Sequence, residues 1–384
     1  MRGFAKSLMN CNVCYHSIIS EAKWLNRKNW VVESLLFAYR RQVTVTEQSG
    51  NDLTDYQVLI ELNSSNFDFS HANEDGSDIR FYDGNNLYPY WIEKWDSANQ
   101  EAKIWVKVPN ILANGTTFFY MYYGNPDITS ASDINSTFIR IIDGLVGAWH
   151  FDEGEGTIAY DSSGNGNHGT IYGATWTDGK FGKALSFDGS DDYVDCGNDA
   201  SLDMDITGSF TIEAWVKLNG LTGDYQVIAG RWYDGETADQ SYGLQFKSNS
   251  SIPGVIVYDT SETGCYSPEG IDFDQWYHIV GLYDGSYLRV YVNNTQKNSC
   301  SYSGNIANTN APFTIGRWTK SDDKNPFYGT IDEVRIYNQA LTPEEISDLY
   351  NNYGYTTTNY PGKVLVRKYT DPEPSVSIGS EETP

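Results

Sequence analysis

The segment Phe210–Leu218 reads FTIEAWVKL and decides the fold class. Every second residue in it is apolar, and the residues between them are polar or aromatic. A period of two is the pattern of a β-strand that packs one face against a core. Farther along, Trp276–Tyr283 and Tyr287–Val292 are two more strand-like runs, joined by Asp284 and Gly285 as in a short hairpin. The sequence therefore predicts antiparallel β-structure in this region.

A later segment, Gly329–Asn338, reads GTIDEVRIYN and predicts another strand. It precedes Thr342, Pro343, Glu344 and Glu345. Threonine can cap a helix, proline suits the first helical position, and Glu345 completes a capping box. No other segment gives a good helix signal, and the 29 tyrosines and 35 glycines favour strands and turns. The predicted fold class is all-β with one short C-terminal helix.

A separate series of strand signals begins near Tyr39. In Ala102–Val108, alternate residues are apolar, so one face of this strand is expected in a core and the other in water. Clusters of Gly, Asn and Asp separate the runs at short intervals, as in a β-sandwich. Because the chain has 384 residues, we expect two β-sandwich domains plus tails.

The first series of strands resembles the family called domain of unknown function 2341. The resemblance covers about residues 37–135 and rests on motifs that occur in order: YRR at 39–41, DYQV at 55–58, DIRF at 78–81, YWIE at 90–93, IWVKVP at 104–109 and MYYGNP at 121–126. It implies a β-sandwich of archaeal and bacterial surface proteins, often beside lectin-like modules. It implies no established activity.

The second series resembles the laminin-G-like jelly roll of the concanavalin superfamily. This resemblance covers about residues 143–353, and its motifs are GAW at 147–149, a Gly- and Asn-rich loop at 161–169, GKALSFDG at 182–189, DYV at 192–194, FTIEAWV at 210–216, WYH at 276–278 and GTIDEVRIYN at 329–338. It implies two stacked antiparallel sheets that present loops at one edge, and it implies that Ca²⁺ is frequent in such modules.

These boundaries divide the chain into five parts. Residues 1–36 are interpreted as a leader or ill-defined tail, 37–135 as the first sandwich, 136–142 as a linker, 143–353 as the jelly roll and 354–384 as a C-terminal extension. In the extension, Val364–Tyr369 alternates like a strand and Val376–Ile378 predicts another. We expect the extension to return to the first domain and complete a sheet edge there.

The charge and composition indicate an exterior, non-nucleic-acid-binding protein. The formal net charge is −25, which repels phosphate backbones. No stretch approaches the roughly 18 apolar residues of a membrane span. Asn-x-Ser/Thr sequons favour a secreted or cell-surface location. Cys265 and Cys300 lie just outside strands of the same sheet region, and a disulfide between them would suit that location.

Calcium is the predicted cofactor, in a structural role. Asp161 lies in the Gly- and Asn-rich loop and Asp332 begins a strand, so the two carboxylates with oxygens of Ser163 and Asn165 could supply a set of about six to eight ligands. The family resemblance supports this loop and Asp332 as a Ca²⁺ site. Alternatively, Asp161 caps its own turn and Asp332 pairs with Arg335 or a backbone amide.

Glycan binding is the predicted function of the strand ends. Sugars stack their apolar faces on aromatic rings while amides and carboxylates contact their hydroxyls. Two strand ends repeat a Gly-Arg-Trp pattern, and the candidate ligand-binding residues are Arg231, Trp232, Tyr233, Tyr242, Arg317 and Trp318. The alternative is that both tryptophans roof the edge of the sandwich and both arginines answer the acidic surface.

Catalysis is not expected. A retaining glycosidase needs two carboxyl groups about 5 Å apart, and the strand that carries Glu213 has no second acid two residues on. We therefore expect a non-catalytic, calcium-stabilised, lectin-like adhesion protein whose partner is a glycan or surface polysaccharide, with other surface proteins as further candidate partners. Two alternatives remain open: a structural or assembly subunit of a surface layer or filament, and a glycoside hydrolase or its ancillary binding module.

Overall fold

The computed structural model describes residues 30–32, 35–204, 208–232, 240–318 and 325–384. Most of residues 1–36, and the predicted ligand residue Tyr233, lie outside this part. The chain divides into two compact units. The first module contains the described residues up to Thr137 together with Thr370–Pro384, and the second module contains Phe138–Tyr369. Every sheet is antiparallel, so the all-β fold class is confirmed.

The first module is built from nine strands. They are β1 (Trp30–Val32), β2 (Leu35–Phe37), β3 (Tyr39–Thr46), β4 (Leu53–Asn63), β5 (Arg80–Tyr82), β6 (Tyr90–Asp96), β7 (Glu101–Ile111), β8 (Thr116–Tyr123) and, from the far end of the chain, β28 (Ser375–Glu382). A 3-10 turn, Phe69–His71, and a short helix, α1 (Ile134–Thr137), complete it.

Two of its sheets enclose one core. One has the order β28-β3-β8-β5 and the other β4-β7-β6, while β1 and β2 form a separate hairpin. Ala102, Ile104, Val106 and Val108 are all buried, as their alternation predicts. The extension thus supplies an edge strand to this module through β28.

The second module continues the chain with nineteen elements in the order of the sequence. They are β9 (Arg140–Asp143), β10 (Leu145–Trp149), β11 (Ile158–Ala159), β12 (Gly169–Tyr172), β13 (Thr175–Asp178), β14 (Lys183–Asp188), β15 (Tyr193–Asp195), β16 (Phe210–Leu218), β17 (Gln226–Trp232), β18 (Gln240–Phe246), β19 (Pro253–Tyr258), β20 (Glu262–Tyr266), β21 (Trp276–Tyr283), β22 (Tyr287–Val292), β23 (Thr295–Ser301), β24 (Phe313–Ile315), β25 (Tyr328–Tyr337), β26 (Tyr353–Tyr355) and β27 (Lys363–Arg367). One helix, α2 (Pro343–Asn351), lies between β25 and β26. Its capping box forms as predicted, between Thr342 and Glu345.

Two eight-stranded sheets form the jelly roll. The front sheet has the order β11-β12-β15-β24-β17-β18-β19-β20. The back sheet has the order β13-β14-β25-β16-β21-β22-β23, with β10 also paired to β25. Their facing sides share one large apolar core. The disulfide Cys265–Cys300 joins β20 to β23, which are the last strands of the two sheets.

A third layer covers the outer side of the back sheet. Strands β26, β27 and β9 form a small sheet, and this sheet and α2 contribute to a second apolar cluster against the back sheet. Residues of β16 on both faces are therefore buried, including Thr211, Glu213 and Trp215. The polar alternation in this strand marks a buried polar layer, because the cover comes from distant parts of the chain. Strand β27, the first strand predicted in the extension, belongs to this layer.

Candidate ligand-binding site

The outer face of the front sheet is shaped by glycines that make room for aromatic rings. A Cβ added to Gly230 or Gly243 would lie 2.8 Å or 2.4 Å from the ring of Trp318. These two glycines are Cα partners on β17 and β18. The absence of side chains there lets the indole lie flat against the backbone of the sheet. Gly254 and Gly264 accommodate the ring of Tyr266 in the same way.

Trp232 and Trp318 stack on this face. Their ring centroids are 5.9 Å apart at an interplanar angle of 27°, and Tyr258 packs edge-on against Trp232. Together with Val227 and Ile256 they form a small apolar cluster separate from the main core. Both indoles are more than nine-tenths buried, so they act as the floor of a site and not as projecting platforms.

A cavity of about 240 Å³ opens above this floor. Its walls combine the two indoles with amides, carboxylates and a phenol; the lining residues are Asp224, Tyr225, Trp232, Gln240, Gln245, Ile256, Glu262, Trp318 and Asn325. The amide of Gln245 is oriented by donation to the hydroxyl of Tyr266, at 2.8 Å. An aromatic floor with a polar rim suits a ligand that has both apolar faces and hydroxyl groups.

Arg231 and Tyr242 lie on the opposite face of the same sheet. They are Cα partners, and both point toward the jelly-roll core. The guanidinium of Arg231 donates to the carbonyls of Ala311 and Thr309 and pairs with Asp203. The hydroxyl of Tyr242 donates to the carbonyl of Leu202, at 2.6 Å. These two predicted ligand residues anchor loops and do not line the cavity.

Arg317 lies apart from the cavity, at an aromatic pair that sequence reasoning missed. Its guanidinium carbon is 4.5 Å from the ring centroid of Tyr193, which stacks on Tyr172 at 4.7 Å. Tyr172 is exposed. The only signal for this pair is that each tyrosine belongs to one of two short strands, β12 and β15, which the structure pairs.

Asp161 organises its loop with hydrogen bonds to the protein. One carboxylate oxygen accepts the amides of Ala148 and Ser163, and the other accepts the Ser163 hydroxyl and the Asn167 amide. Asn165 and Ser163 direct their side-chain donors to the carbonyl of Val146. Since four donors already occupy the Asp161 carboxylate, its environment matches the turn-capping alternative and does not fit direct ligation of a metal.

Asp332 has a different environment and no hydrogen-bond partner in common with Asp161. Its Oδ2 accepts the amides of Lys180 and Phe181, at 2.8 and 3.0 Å. Its Oδ1 is buried without a hydrogen-bond partner. Burial, followed by the charge of Glu333, raises the pKa of Asp332 well above its ordinary value. A buried oxygen with no donor, in a negative field, is an environment that a cation would stabilise.

Oxygens also converge next to Asp332. A Cβ added to Gly179 would lie 2.6 Å from Oδ2 of Asp332, 2.6 Å from the carbonyl oxygen of Lys183 and 2.8 Å from that of Phe181. Carboxylate and carbonyl oxygens are the ligands that Ca²⁺ prefers. Within the described residues, a second acidic group consists of Asp188, Asp191 and Asp192, whose ligand atoms lie within 4.8 Å of one another.

Glu213 is enclosed in a buried charge network, which removes it as a candidate catalytic carboxylate. It is fully buried and contacts His278 at 2.8 Å, Arg335 at 3.2 Å and the hydroxyl of Tyr337 at 2.6 Å. Burial alone would raise its pKa, but the hydrogen bond with His278 and the charge of Arg335 hold that pKa below its ordinary value. A carboxylate without solvent access cannot reach a sugar.

Comparisons with known proteins place both modules. Residues 188–347 match the family Laminin_G_3, described as the concanavalin A-like lectin/glucanases superfamily. Residues 75–162 match the domain of unknown function 2341. Within the described residues, no helix is both long and apolar enough to cross a membrane.

Individual similar proteins are distant. Adhesion G-protein coupled receptor V1 of Danio rerio is 22% identical over 182 residues, which is 45% of this chain and 3% of that protein. Domain 4 of AbnA, a GH43 extracellular arabinanase from Geobacillus stearothermophilus, solved in complex with arabinotriose, is 25% identical with a TM-score of 0.43, and the match covers 54% of this chain and 98% of that one. The binding domain of Paraclostridial Mosquitocidal Protein 1 is 18% identical with a TM-score of 0.44, over 54% and 52% of the two chains.

The two family matches agree with the order of the two resemblances that the motifs indicate. The chain therefore combines a domain of unknown function 2341 with a following module of the concanavalin A-like lectin/glucanases superfamily.

Proposed function

We propose that this protein is a non-catalytic carbohydrate-binding protein of the cell exterior, and that its second module binds glycan in the cavity above Trp232 and Trp318. The observation that carries the proposal is the aromatic floor seated on Gly230 and Gly243, with amide and carboxyl groups around it. The match to a superfamily that includes lectins supports a binding role. The disulfide Cys265–Cys300 supports an oxidising, extracellular location.

The polar rim suits sugar hydroxyls. Gln240, Gln245 and Asn325 offer both donors and acceptors, while Asp224 and Glu262 offer acceptors only. A hydroxyl group donates and accepts at once, so it can pair with all five side chains. The volume of about 240 Å³ admits one or two sugar rings, which makes the end or a short internal stretch of a glycan the expected ligand.

A screen of immobilised glycans, followed by titration of each hit, tests the proposal. Gln245→Ala and Trp318→Ala should each weaken binding by at least about tenfold, because each removes a wall or the floor of the cavity. Trp91→Ala, a half-buried tryptophan of the first module, is the matched control and should leave affinity unchanged. Folding of each variant is checked by circular dichroism. Glycan binding that survives both cavity variants would move the site elsewhere, and no hit at all would refute the proposal.

Glycoside hydrolysis is the second candidate function, because two carboxyl groups line the same cavity. Asp224 and Glu262 are the residue types that a glycosidase requires as its acid and nucleophile or base. Hits from the glycan screen are therefore incubated with the protein and assayed for reducing ends. Release of reducing ends that is lost in both Asp224→Asn and Glu262→Gln would establish hydrolysis; intact glycan supports binding alone.

We also propose that calcium stabilises the second module at Asp332. Its partnerless Oδ1 and the carbonyl oxygens that face Gly179 support this assignment. Calcium should raise the unfolding temperature of the wild-type protein relative to EDTA, and Asp332→Asn should abolish that shift. Asp161→Asn should lower the unfolding temperature yet keep the calcium shift, because its carboxylate is already satisfied by protein donors. A calcium shift that persists in Asp332→Asn would place the ion elsewhere, and no shift in the wild-type protein would remove the ion from this account.

A further inference from the structure

Strand β28 is a detachable part of the first module. It pairs antiparallel with β3, and its partners run from Ser375 opposite Thr46 to Glu382 opposite Arg40. The chain leaves the first module after Thr137, builds the whole second module and returns only at Thr370. The sheet β28-β3-β8-β5 therefore ends in a strand that is remote in sequence from every other strand of its module.

Apolar burial contributes little to holding β28 in place. Its core-facing residues are Val376 and Ile378, and both remain partly exposed. The other side chains of the strand are polar or small. By contrast, its partner β3 places Val43 and Val45 fully inside the core. The loss of β28 would expose few apolar groups, because the core beneath is closed mainly by the other strands.

Charge supplies much of the attachment. Glu382 pairs with Arg40 at 2.8 Å, and Glu381 accepts the hydroxyl of Tyr123 at 2.8 Å. Glu381 also contacts His71 at 3.0 Å. The guanidinium of Arg41 donates to the carbonyl of Gly379, at 3.0 Å. In a chain of net charge −25, this edge is a local basic surface, and it fits an acidic strand.

The edge of β3 requires a partner strand. Without β28, its outer row of amide and carbonyl groups would be unpaired, which is the arrangement that recruits a strand from another chain. A second copy of this protein carries the best-fitting strand, with the same register and the same two glutamates. The segment Thr370–Pro374, TDPEP, leads into β28 and contains two prolines, so it can hold the strand away from its own module.

We propose that β28 is exchanged between copies, so that residues 375–382 of one chain complete the first module of another. Each chain both donates one strand and accepts one, and repetition of this exchange links copies into open chains or closes them into rings. This interaction is independent of carbohydrate binding in the second module and would make a glycan-binding surface multivalent.

Engineered cysteines at one register pair test the exchange. Thr44 and Ser377 are Cα partners on the solvent side of β3 and β28, and cross-strand partners lie within disulfide range. Thr44→Cys and Ser377→Cys are made in separate proteins of different mass tags, with Cys11 and Cys14 replaced by serine. The two proteins are mixed in mild denaturant, returned to buffer and oxidised. We expect a covalent heterodimer on a non-reducing gel, and multimers at high concentration by light scattering.

Two further variants make the result decisive. Ser375→Cys replaces Ser377→Cys as the matched control: it shifts the cysteine out of register by two residues, roughly 7 Å, and should cut the heterodimer yield several-fold. The double variant Thr44→Cys/Ser377→Cys should form an intrachain disulfide and remain monomeric. If that double variant oxidises efficiently but the mixture yields no more heterodimer than the control, the strand stays within its own chain and the proposal is overturned.

Discussion

The two modules accommodate buried charge in opposite ways. In the first module, the buried carboxylates Glu47 and Asp78 lie at turns, where backbone amides donate to them. In the second module, Glu213, Arg335 and Glu333 lie under the third layer and pair mainly with one another and with histidines. Backbone amides are fixed by the fold, whereas side-chain partners can be deleted singly. The second module is therefore the one that a single substitution can leave with an unpaired buried charge.

Replacement of Arg335 should give the largest effect. Its guanidinium contacts Glu213 at 3.2 Å, pairs with Glu333 and donates to the carbonyl of Gly354 at 2.7 Å. Arg335→Met leaves two buried carboxylates without their cation and should destabilise the second module by about 3–5 kcal/mol. Urea unfolding followed by hydrogen exchange of peptides from each module measures this loss.

The matched control is an exposed ion pair in the first module. Lys94 and Glu101 lie 2.6 Å apart with side chains 36% and 58% exposed. Lys94→Met should change the stability of its module by less than about 1 kcal/mol, because water solvates both groups when the pair breaks. Comparable losses for Arg335→Met and Lys94→Met would contradict the contrast between the modules.

Removal of the disulfide should have the second-largest effect. The bond Cys265–Cys300 closes a sequence separation of 35 residues and joins the last strands of the two sheets. Cys265→Ser/Cys300→Ser should lower the stability of the second module by about 3–4 kcal/mol through the greater freedom of its unfolded chain. Exchange in β20 and β23 should accelerate most, while peptides of the first module should exchange as before. Uniform acceleration in both modules would show that the two unfold together.

Much of the fold follows from local patterns. The alternation in Ala102–Val108 identifies core residues because that sheet has one face in the core. The same alternation in Phe210–Leu218 predicts a wet face that the structure covers with β9, β26, β27 and α2. Those elements lie far from β16 in sequence, so no local pattern in the strand could reveal the cover.

The candidate site shows a different limit. Adjacent residues on a strand point to opposite faces, and the structure places Arg231 inward and Trp232 outward. The repeated Gly-Arg-Trp pattern was therefore correct in bringing two tryptophans together but could not bring both arginines with them. Gly230 and Gly243 carried the missing information, because a strand glycine often marks a close approach of another group. The cavity walls, such as Asp224 and Glu262, come from distant segments and have no local signature.

Asp161 tests whether the second module also depends on a turn carboxylate of the kind found in the first. Its four protein donors hold the loop 161–167 against β10. Asp161→Asn keeps the size of the side chain but turns an NH₂ group toward donors, and should cost about 1–3 kcal/mol. Hydrogen exchange at residues 146–168 should accelerate before that of the rest of the module. An unchanged exchange pattern would show that the loop is held by its neighbours instead.

Glu47 gives the smallest effect and one that depends on pH. Burial alone would raise its pKa, but hydrogen bonds from the Ser49 side chain and from the amides of Asn114, Ser49 and Gly50 lower that pKa to about 2 from 4.5. Because the folded pKa lies below the unfolded one, the ionised carboxylate stabilises the first module fully above pH 4.5, and this contribution is lost as the pH falls toward 2. Glu47→Gln cannot ionise, so its stability deficit relative to the wild-type protein should be constant near neutral pH and shrink between pH 4.5 and 2. Unfolding measured across this range, with peptides of the second module as the internal reference, checks the sign. A deficit that grows as the pH falls would mean that the carboxylate is protonated in the folded protein and that the turn is held by the backbone alone.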